Sequence, residues 1–144
     1  MSTTSQPLHQ VLATLEKLWP PAEAEVWDAV GLVTGNPSQE VRSILLVVDV
    51  VEQTVQEAGD VGADLIVAHH PLLLRGVTSV AEDHYKGRLI ATLIRSEVAL
   101  YSAHTNADAA EGGTSDSLAR ALGLGEMTTI TGQTGDAAGI GRVG

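Results

Sequence analysis

Two adjacent histidines, His69 and His70, follow a short apolar run and precede Pro71. Neighbouring side chains of a strand point to opposite faces, but where a strand meets a loop the backbone can turn both imidazoles towards one point. Pro71 restricts His70 to extended or turn conformations and has no competing N–H donor. Neutral imidazole is a common ligand of zinc, iron, nickel and copper. The pair therefore indicates a metal site, whereas a lone histidine is more often an ordinary core or surface residue.

A second segment with ionisable side chains runs from His104 to Asp108 and also follows a predicted strand. On its own, this segment is typical of a polar turn held by an Asx-type hydrogen bond. Together with the histidine pair, it gives a set of imidazole nitrogens and one carboxylate. A carboxylate that bridges two cations can hold them about 3.5–4 Å apart. The two segments together predict a metal centre.

Three other features have more ordinary interpretations. Asp49 ends another predicted strand, and it is either a helix N-cap or an acceptor that fixes an imidazole tautomer. We predict that His9 and His84 are solvent-exposed. The segment Gly139–Gly144 spells G-x-G-x-x-G, but this dinucleotide fingerprint works only between a strand and a helix that receives the phosphate. We expect no helix after it, and therefore no dinucleotide site.

Apolar periodicity indicates the elements that must position these residues. The predicted elements are a helix over residues 7–19, a strand over 43–50, a helix from 51 to 59–62, a strand over 64–68, a helix containing 89–94, a strand over 98–102 and a helix over 115–122. Ser5 is predicted to cap the first helix, and Thr114 or Ser115 the last, which Gly123 stops. The run 43–50 predicts a strand that is buried on both faces.

Alternation of strands and helices predicts an α/β fold: a mainly parallel sheet with helices on both faces. Ligands bind such open sheets beyond the carboxyl ends of the strands. The first strand ends at Asp49, the second at His69 and His70, and the third just before His104 and Asp108. Three strand ends thus bring ionisable side chains to one edge of the sheet.

Composition limits the class of protein. The chain has 144 residues, 44% of them hydrophobic and 18% charged, which predicts one globular domain. A net charge of −10 argues against nucleic acid as a partner, since backbone phosphates require a basic surface. The absence of cysteine leaves histidine and carboxylate as metal ligands. No apolar run approaches the roughly 20 residues of a membrane helix. The polar start, Met1 to Gln6, lacks a signal pattern, so we expect a cytoplasmic protein without a membrane partner.

Three segments of the sequence resemble successive motifs of the NIF-three-like family, whose members are often called type 2 homologues of GTP cyclohydrolase 1. The segments are Trp27–Leu32 (WDAVGL), Asp64–Pro71 (DLIVAHHP) and Tyr101–Asp108 (YSAHTNAD). The resemblance extends from the first helix to Gly144. It implies an α/β fold, a centre of two divalent cations (zinc, manganese, iron or nickel) and toroidal homo-oligomers.

The resemblance also implies roles for individual residues. His69, His70 and Asp108 fall on metal ligands, and His104 falls on a position that lines the site, with an outer or an acid–base role. These roles favour a metal-dependent hydrolase, in which metal-activated water attacks a small phosphate ester or nucleotide. The alternative is a non-catalytic metal-binding or protein-assembly module.

The sequence departs from the family pattern in two places. Ala29 stands where the tryptophan motif usually has asparagine. Family members also continue further and supply a histidine and a glutamate, spaced H-x-x-x-E, whereas no histidine follows His104 here. We therefore interpret residues 1–144 as a single α/β domain that corresponds to the N-terminal part of a longer architecture, with an incomplete set of ligands.

Overall fold

The computed structural model describes residues 4–131 and 138–144, so the first three residues of the polar start lie outside it. Within these ranges the helices are α1 (Leu8–Leu18), α2 (Glu52–Val61), α3 (Tyr85–Arg95), α4 (Thr105–Ala109) and α5 (Thr114–Ala121), with one 3₁₀ helix at Pro21–Glu23. The strands are β1 (Gln6–Pro7), β2 (Gly31–Thr34), β3 (Glu40–Val41), β4 (Ile44–Val47), β5 (Leu65–Ala68), β6 (Ala99–Ser102), β7 (Thr128–Thr129) and β8 (Arg142–Val143).

The main sheet has four strands in the order β2-β6-β5-β4. Strands β4, β5 and β6 are parallel, with Ile44 opposite Leu65 and Leu65 opposite Ala99. These are the three predicted strands, so the prediction of a mainly parallel sheet is confirmed. Strand β2 pairs antiparallel with β6, with Gly31 opposite Ser102. This fourth strand was not predicted from the sequence.

Successive residues of the central strands contribute to two separate parts of the core. Leu65 and Val67 of β5 pack with residues of α1, such as Leu8. Ile66 of β5 packs with residues of α2 and α3, such as Leu93. Both clusters are aliphatic apart from Tyr101, and the four residues of β5 are all buried. Because side chains alternate along β5, the strand packs against α1 through one set of residues and against α2 and α3 through the other. This packing fixes the position of the strand end.

Strand β4 corrects the prediction that residues 43–50 are buried on both faces. Leu45 and Val47 pack against the cluster formed with α2 and α3. Their neighbours are exposed: Ile44 to 44%, Leu46 to 71% and Val48 to 60%. The reason is that β4 lies at the edge of the sheet, a position that an apolar run does not reveal.

Both predicted helix caps are wrong. Helix α1 follows Pro7 and has no side-chain cap. Helix α5 begins after Gly113, also without a side-chain cap, and the carboxylate of Asp116 instead accepts the N–H of Gly112 at 2.6 Å. Glycine is required at position 113, because a Cβ atom there would lie 2.1 Å from the carbonyl oxygen of Ala107. This close approach, which sequence alone does not show, selects glycine over a hydroxyl cap.

The segment with the dinucleotide-like spelling forms part of a small antiparallel pair. Arg142 lies opposite Thr129, and Val143 lies opposite Thr128. The end of this segment, Arg142–Val143, is therefore a strand. Among the helices of the described ranges, none has the length and hydropathy needed to cross a membrane.

Candidate metal centre

The register of the sheet brings the two histidine-containing segments together. Ala68, the last residue of β5, lies opposite Ser102, the last residue of β6. The segment after β5 continues along β4, since the N–H groups of His69 and His70 donate to the carbonyl oxygens of Val47 at 3.0 Å and Val48 at 2.8 Å. The histidine pair is therefore held by backbone hydrogen bonds at the carboxyl edge of the sheet.

Three imidazoles form a cluster at this edge. One ring nitrogen from each of His69, His70 and His104 lies within 4.8 Å of the other two. The ring centroids of His69 and His70 are 5.0 Å apart, and the centroid of His104 lies 5.2 Å and 5.6 Å from them. The two adjacent histidines thus turn towards one point, as the sequence predicts for a junction between strand and loop.

In each of the three rings, Nδ1 faces a hydrogen-bond acceptor. Nδ1 of His69 lies 3.1 Å from the carbonyl oxygen of Ala103. Nδ1 of His70 lies 2.8 Å from Oδ1 of Asp49, and Nδ1 of His104 lies 3.0 Å from a carboxylate oxygen of Asp28. A carbonyl or carboxylate oxygen only accepts, so in the neutral ring Nδ1 carries the proton and Nε2 keeps its lone pair. All three neutral rings can therefore offer Nε2 as a ligand atom.

The contact of Asp49 decides between its two interpretations. Helix α2 begins at Glu52, and its N-cap is Val51, so Asp49 does not cap that helix. Its carboxylate instead accepts from His70, as expected for a group that fixes an imidazole tautomer. The side chains of Asp49 and His70 are both exposed.

Asp108 lies beside the cluster on a short helix. The segment after His104 forms helix α4 rather than the polar turn expected of it in isolation. Oδ1 of Asp108 lies 3.8 Å from Nε2 of His69, so a carboxylate and an imidazole nitrogen face the same space. Of the four residues singled out from the sequence, His69, His70 and His104 form the group that could hold a metal ion, whereas Asp108 contacts this group through His69. Their individual roles stay predictions.

Asp28 is a member of the site that sequence reasoning did not single out. Its side chain is fully buried, 0% exposed, behind His104. Oδ2 accepts the backbone N–H of Thr105 at 2.9 Å and also the hydroxyl of Thr105. The available signal was its position in the Trp27–Leu32 motif. Its partners His104 and Thr105 lie more than 70 residues away in the chain, so spacing alone could not connect them.

Hydrogen bonding keeps the Asp28 carboxyl charged. Burial by itself raises the pKa of this group, but hydrogen bonds from Thr105 and His104, and from the backbone of Ala29, outweigh burial and hold the pKa below its usual 3.8. At neutral pH the carboxylate is therefore ionised. Ala29 contributes through its N–H, which donates to Oδ1 of Asp28 at 2.7 Å.

The two remaining histidines lie outside this cluster, as predicted. His9 is exposed on α1, and its Nδ1 lies 3.1 Å from the carbonyl oxygen of Pro37. His84 is the exposed residue before α3, and its Nε2 lies 3.7 Å from Oδ1 of Asp83. Neither belongs to the group of histidines that could hold a metal. His84 is therefore a natural control for the site histidines.

Comparison with known proteins gives the family. The profile of the family described as Duf34/NIF3 (NGG1p interacting factor 3) matches residues 7–144, nearly the whole chain. The chain belongs to the Duf34/NIF3 family. It is 50% identical over 139 residues to the GTP cyclohydrolase 1 type 2 homolog of Streptomyces coelicolor, an alignment that covers 94% of this chain and 49% of that protein. The homolog of Clostridium perfringens is 39% identical over 137 residues, with 94% and 52% covered.

A solved structure supports the fold of this Duf34/NIF3 chain. The Bacillus cereus protein related to NIF3 superposes with a TM-score of 0.85 at 35% identity, over 90% of this chain and 36% of that one. The family expected from the three motifs is thus confirmed. The chain spans about half the length of the two curated relatives described above.

The donor set fits a divalent cation. Imidazole nitrogens and carboxylate oxygens suit borderline metals of the zinc, manganese, iron and nickel group. The acceptors behind the three rings fix the tautomer that binding requires, which is how metal-binding histidines are usually held. This cluster of the Duf34/NIF3 chain could therefore hold a metal ion without rearrangement of its tautomers.

Proposed function

We propose that this chain supplies part of the centre of a dinuclear, divalent-metal-dependent hydrolase. The proposed metal ligands are His69, His70 and Asp108. The observation that carries the proposal is that Nδ1 of His69 and Nδ1 of His70 both face acceptors, which leaves their other nitrogens for a metal, with Oδ1 of Asp108 3.8 Å from Nε2 of His69. A ring nitrogen of His104 lies within 4.8 Å of the pair. Converging lone pairs with fixed tautomers are the arrangement that a metal site requires.

The proposed substrate is a small phosphate ester or a nucleotide. When bound, divalent cations would lower the pKa of a coordinated water and polarise a phosphoryl oxygen. The chain itself carries a net charge of −10 and therefore repels a free phosphate over most of its surface. An anionic substrate would be attracted only where the site offsets this charge.

His104 is proposed as the catalytic residue. Its Nδ1 faces the Asp28 carboxylate, so its Nε2 can accept a proton from the attacking water and later return one to the leaving group. Its side chain is only 16% exposed, and the edge of the Trp27 ring packs against it at a centroid distance of 6.0 Å. A ring held on two sides in this way has the fixed position that proton transfer needs.

Three protein ligands are too few for two cations unless water fills the remaining positions. The family resemblance implies a further histidine and glutamate, spaced H-x-x-x-E, and we propose that a form containing them binds two ions per chain. A small domain that contributes only part of a site also fits the proposed homo-oligomer. We also propose that helices cover both faces of the sheet, which the two core clusters support. The cytoplasmic location likewise stays a proposal.

The proposal can be tested in a form that contains the H-x-x-x-E segment, with a panel of phosphate esters and with GTP ring opening, each in the presence of manganese or zinc. We expect hydrolysis that requires the metal and that falls about 100-fold or more in His104→Gln, the range for loss of an acid–base group. The matched control is His84→Gln, which should behave like the parent chain. Equal turnover in His104→Gln and the parent would remove His104 from the mechanism.

A second candidate function, a non-catalytic assembly module, is favoured by an exposed apolar row formed by Ile44 and Leu46 of the edge strand β4 and by Val48 just after it. Exposed edges of this kind pair with further strands. Metal binding without hydrolysis of any substrate, together with self-association that Leu46→Lys abolishes in sedimentation experiments, would favour this candidate. A metal-dependent hydrolase that remains monomeric would exclude it.

A further inference from the structure

Within residues 4–131 and 138–144, each polar contact of the Asp28 carboxylate is with a hydrogen-bond donor. Its Oδ1 lies 3.0 Å from Nδ1 of His104 and accepts the N–H of Ala29 at 2.7 Å. Its Oδ2 accepts from both the backbone and the hydroxyl of Thr105. With the side chain fully buried, no solvent replaces any of these contacts. Both oxygens of this carboxyl must therefore act as hydrogen-bond acceptors.

We infer that Asp28 is a positioning residue, which holds His104 in the Nδ1–H tautomer with Nε2 turned towards His69 and His70. Because Oδ1 of a carboxylate cannot donate, the proton between Asp28 and His104 belongs to the ring nitrogen. The opposite ring nitrogen then keeps its lone pair. This inference rests on the proposed role of His104, and it adds the group that sets which nitrogen of that ring is basic.

An asparagine at position 28 could not replace the carboxylate. If its oxygen accepted from His104, its NH₂ group would face the N–H of Thr105, which is a second donor. If the amide were reversed, its NH₂ group would face both the N–H of Ala29 and Nδ1 of His104, and the ring would have to move its proton to Nε2. Only a carboxylate satisfies both neighbours with the ring in the Nδ1–H form.

The same carboxylate also joins two segments that are distant in the chain. The hydroxyl of Thr105, which donates to Asp28, accepts the N–H of Glu25 at 2.9 Å. Trp27, between Glu25 and Asp28, packs its ring edge-on against His104. The ring of His104 is thus fixed in position by Trp27 and in protonation by Asp28. Both residues come from the segment that precedes β2.

The test is the tautomer of His104, read by long-range ¹H–¹⁵N NMR of protein with ¹⁵N-labelled histidine. The spectrum is recorded without metal at about pH 8.5, above the ordinary pKa of histidine. The signals of His104 are assigned by their loss in His104→Gln. We expect the Nδ1–H pattern in the parent protein and a shift of the population to Nε2–H in Asp28→Asn. The control Thr105→Val removes one hydrogen bond to the same carboxylate and should keep the Nδ1–H pattern.

Two results would overturn the inference: an Nε2–H pattern for His104 in the parent protein, or an unchanged Nδ1–H pattern in folded Asp28→Asn. The first result is decisive even if Asp28→Asn fails to fold, because it needs only the parent and His104→Gln. The readout involves neither metal nor substrate. A protein that hydrolyses nothing could still show the expected tautomer, so the inference and the proposed function can fail separately.

Discussion

The two ends of the same parallel strands use polar side chains in opposite ways. At the carboxyl end, each imidazole of His69, His70 and His104 makes one hydrogen bond through Nδ1, and the other nitrogen remains available. At the amino end, polar side chains bind the backbone of neighbouring segments. The difference shows that the ability of a strand end to bind a ligand depends on which polar atoms are not already used in hydrogen bonds to neighbouring segments.

The amino end contains a cavity of about 700 Å³, but its polar groups hold the fold together. Oδ2 of Asp64 accepts the N–H groups of Arg42 at 2.7 Å and Ser43 at 3.0 Å. Nε2 of Gln39 donates to the carbonyl oxygens of Asp64 at 3.2 Å and Glu97 at 3.0 Å. A large cavity with occupied polar groups is a weaker candidate site than a smaller cluster of free nitrogens.

The largest expected effect is the loss of metal binding in His70→Ala. This substitution removes one of the proposed ligands, so we expect divalent-metal affinity to fall by more than about 100-fold, beyond the range for outer partners. The measurement is isothermal titration calorimetry with zinc or manganese. His84→Ala is the control and should bind like the parent. Equal affinities in the two variants would mean that the histidine pair is not the ligand set.

At the amino end, Asp64→Ala should affect stability and leave metal binding unchanged. The substitution leaves the N–H groups of Arg42 and Ser43 without their acceptor, which should lower the free energy of unfolding by about 1–3 kcal/mol. Urea unfolding measures this change. The control, Asp60→Ala, removes an exposed carboxylate that accepts from the Gln56 side chain, and it should change stability by less than about 0.5 kcal/mol. Loss of metal binding in Asp64→Ala would contradict the contrast between the two ends.

Protonation of Asp28 in acid should lower the free energy of unfolding of the protein. Its pKa in the folded protein lies below the usual 3.8, so its stabilising contribution is complete above about pH 4 and is lost as the pH falls through the folded pKa. We expect the free energy of unfolding of the parent to decline between about pH 4 and pH 2. Asp28→Ala should be less stable at neutral pH and should decline less steeply in acid. Parallel curves for the two proteins would show that this carboxyl does not contribute.

The smallest expected effect is that of Asp49→Asn. The amide oxygen can still accept from Nδ1 of His70, and both side chains are exposed, so only the negative charge is lost. We expect metal affinity to fall by about tenfold or less, with little change in stability. A calorimetric loss as large as that of His70→Ala would make Asp49 a direct ligand rather than an orienting group.

The elements that deliver the site were predictable because they have strong local signals. Short apolar runs gave the three parallel strands, and their order along the chain placed His69, His70, His104 and Asp108 at one edge. Strand β2 was missed because it starts at Gly31, with a φ of 109°, and pairs with residues about 70 positions later. A local pattern of four residues carries no information about such a partner.

Burial and buried polar contacts were the other features beyond local prediction. An apolar run at residues 43–50 looks the same in a central strand and in an edge strand, so the exposure of Leu46 was not foreseen. Likewise, the contacts of Asp28 with His104 and Thr105 form only after folding brings these residues next to it. Residue type and spacing identify candidate ligand residues, such as His69 and His70, more readily than residues such as Asp28 that orient a neighbouring side chain.

The central claim is that the carboxyl edge of the sheet binds a divalent metal, and anomalous X-ray diffraction tests it most directly. Crystals grown with zinc would be measured just above and just below the zinc absorption edge. The account predicts an anomalous peak about 2.0–2.2 Å from a nitrogen of His69 or His70, with Asp108 beside it. Zinc peaks elsewhere, for example at His84 or at the amino-end carboxylates, with none at the histidine cluster, would contradict it.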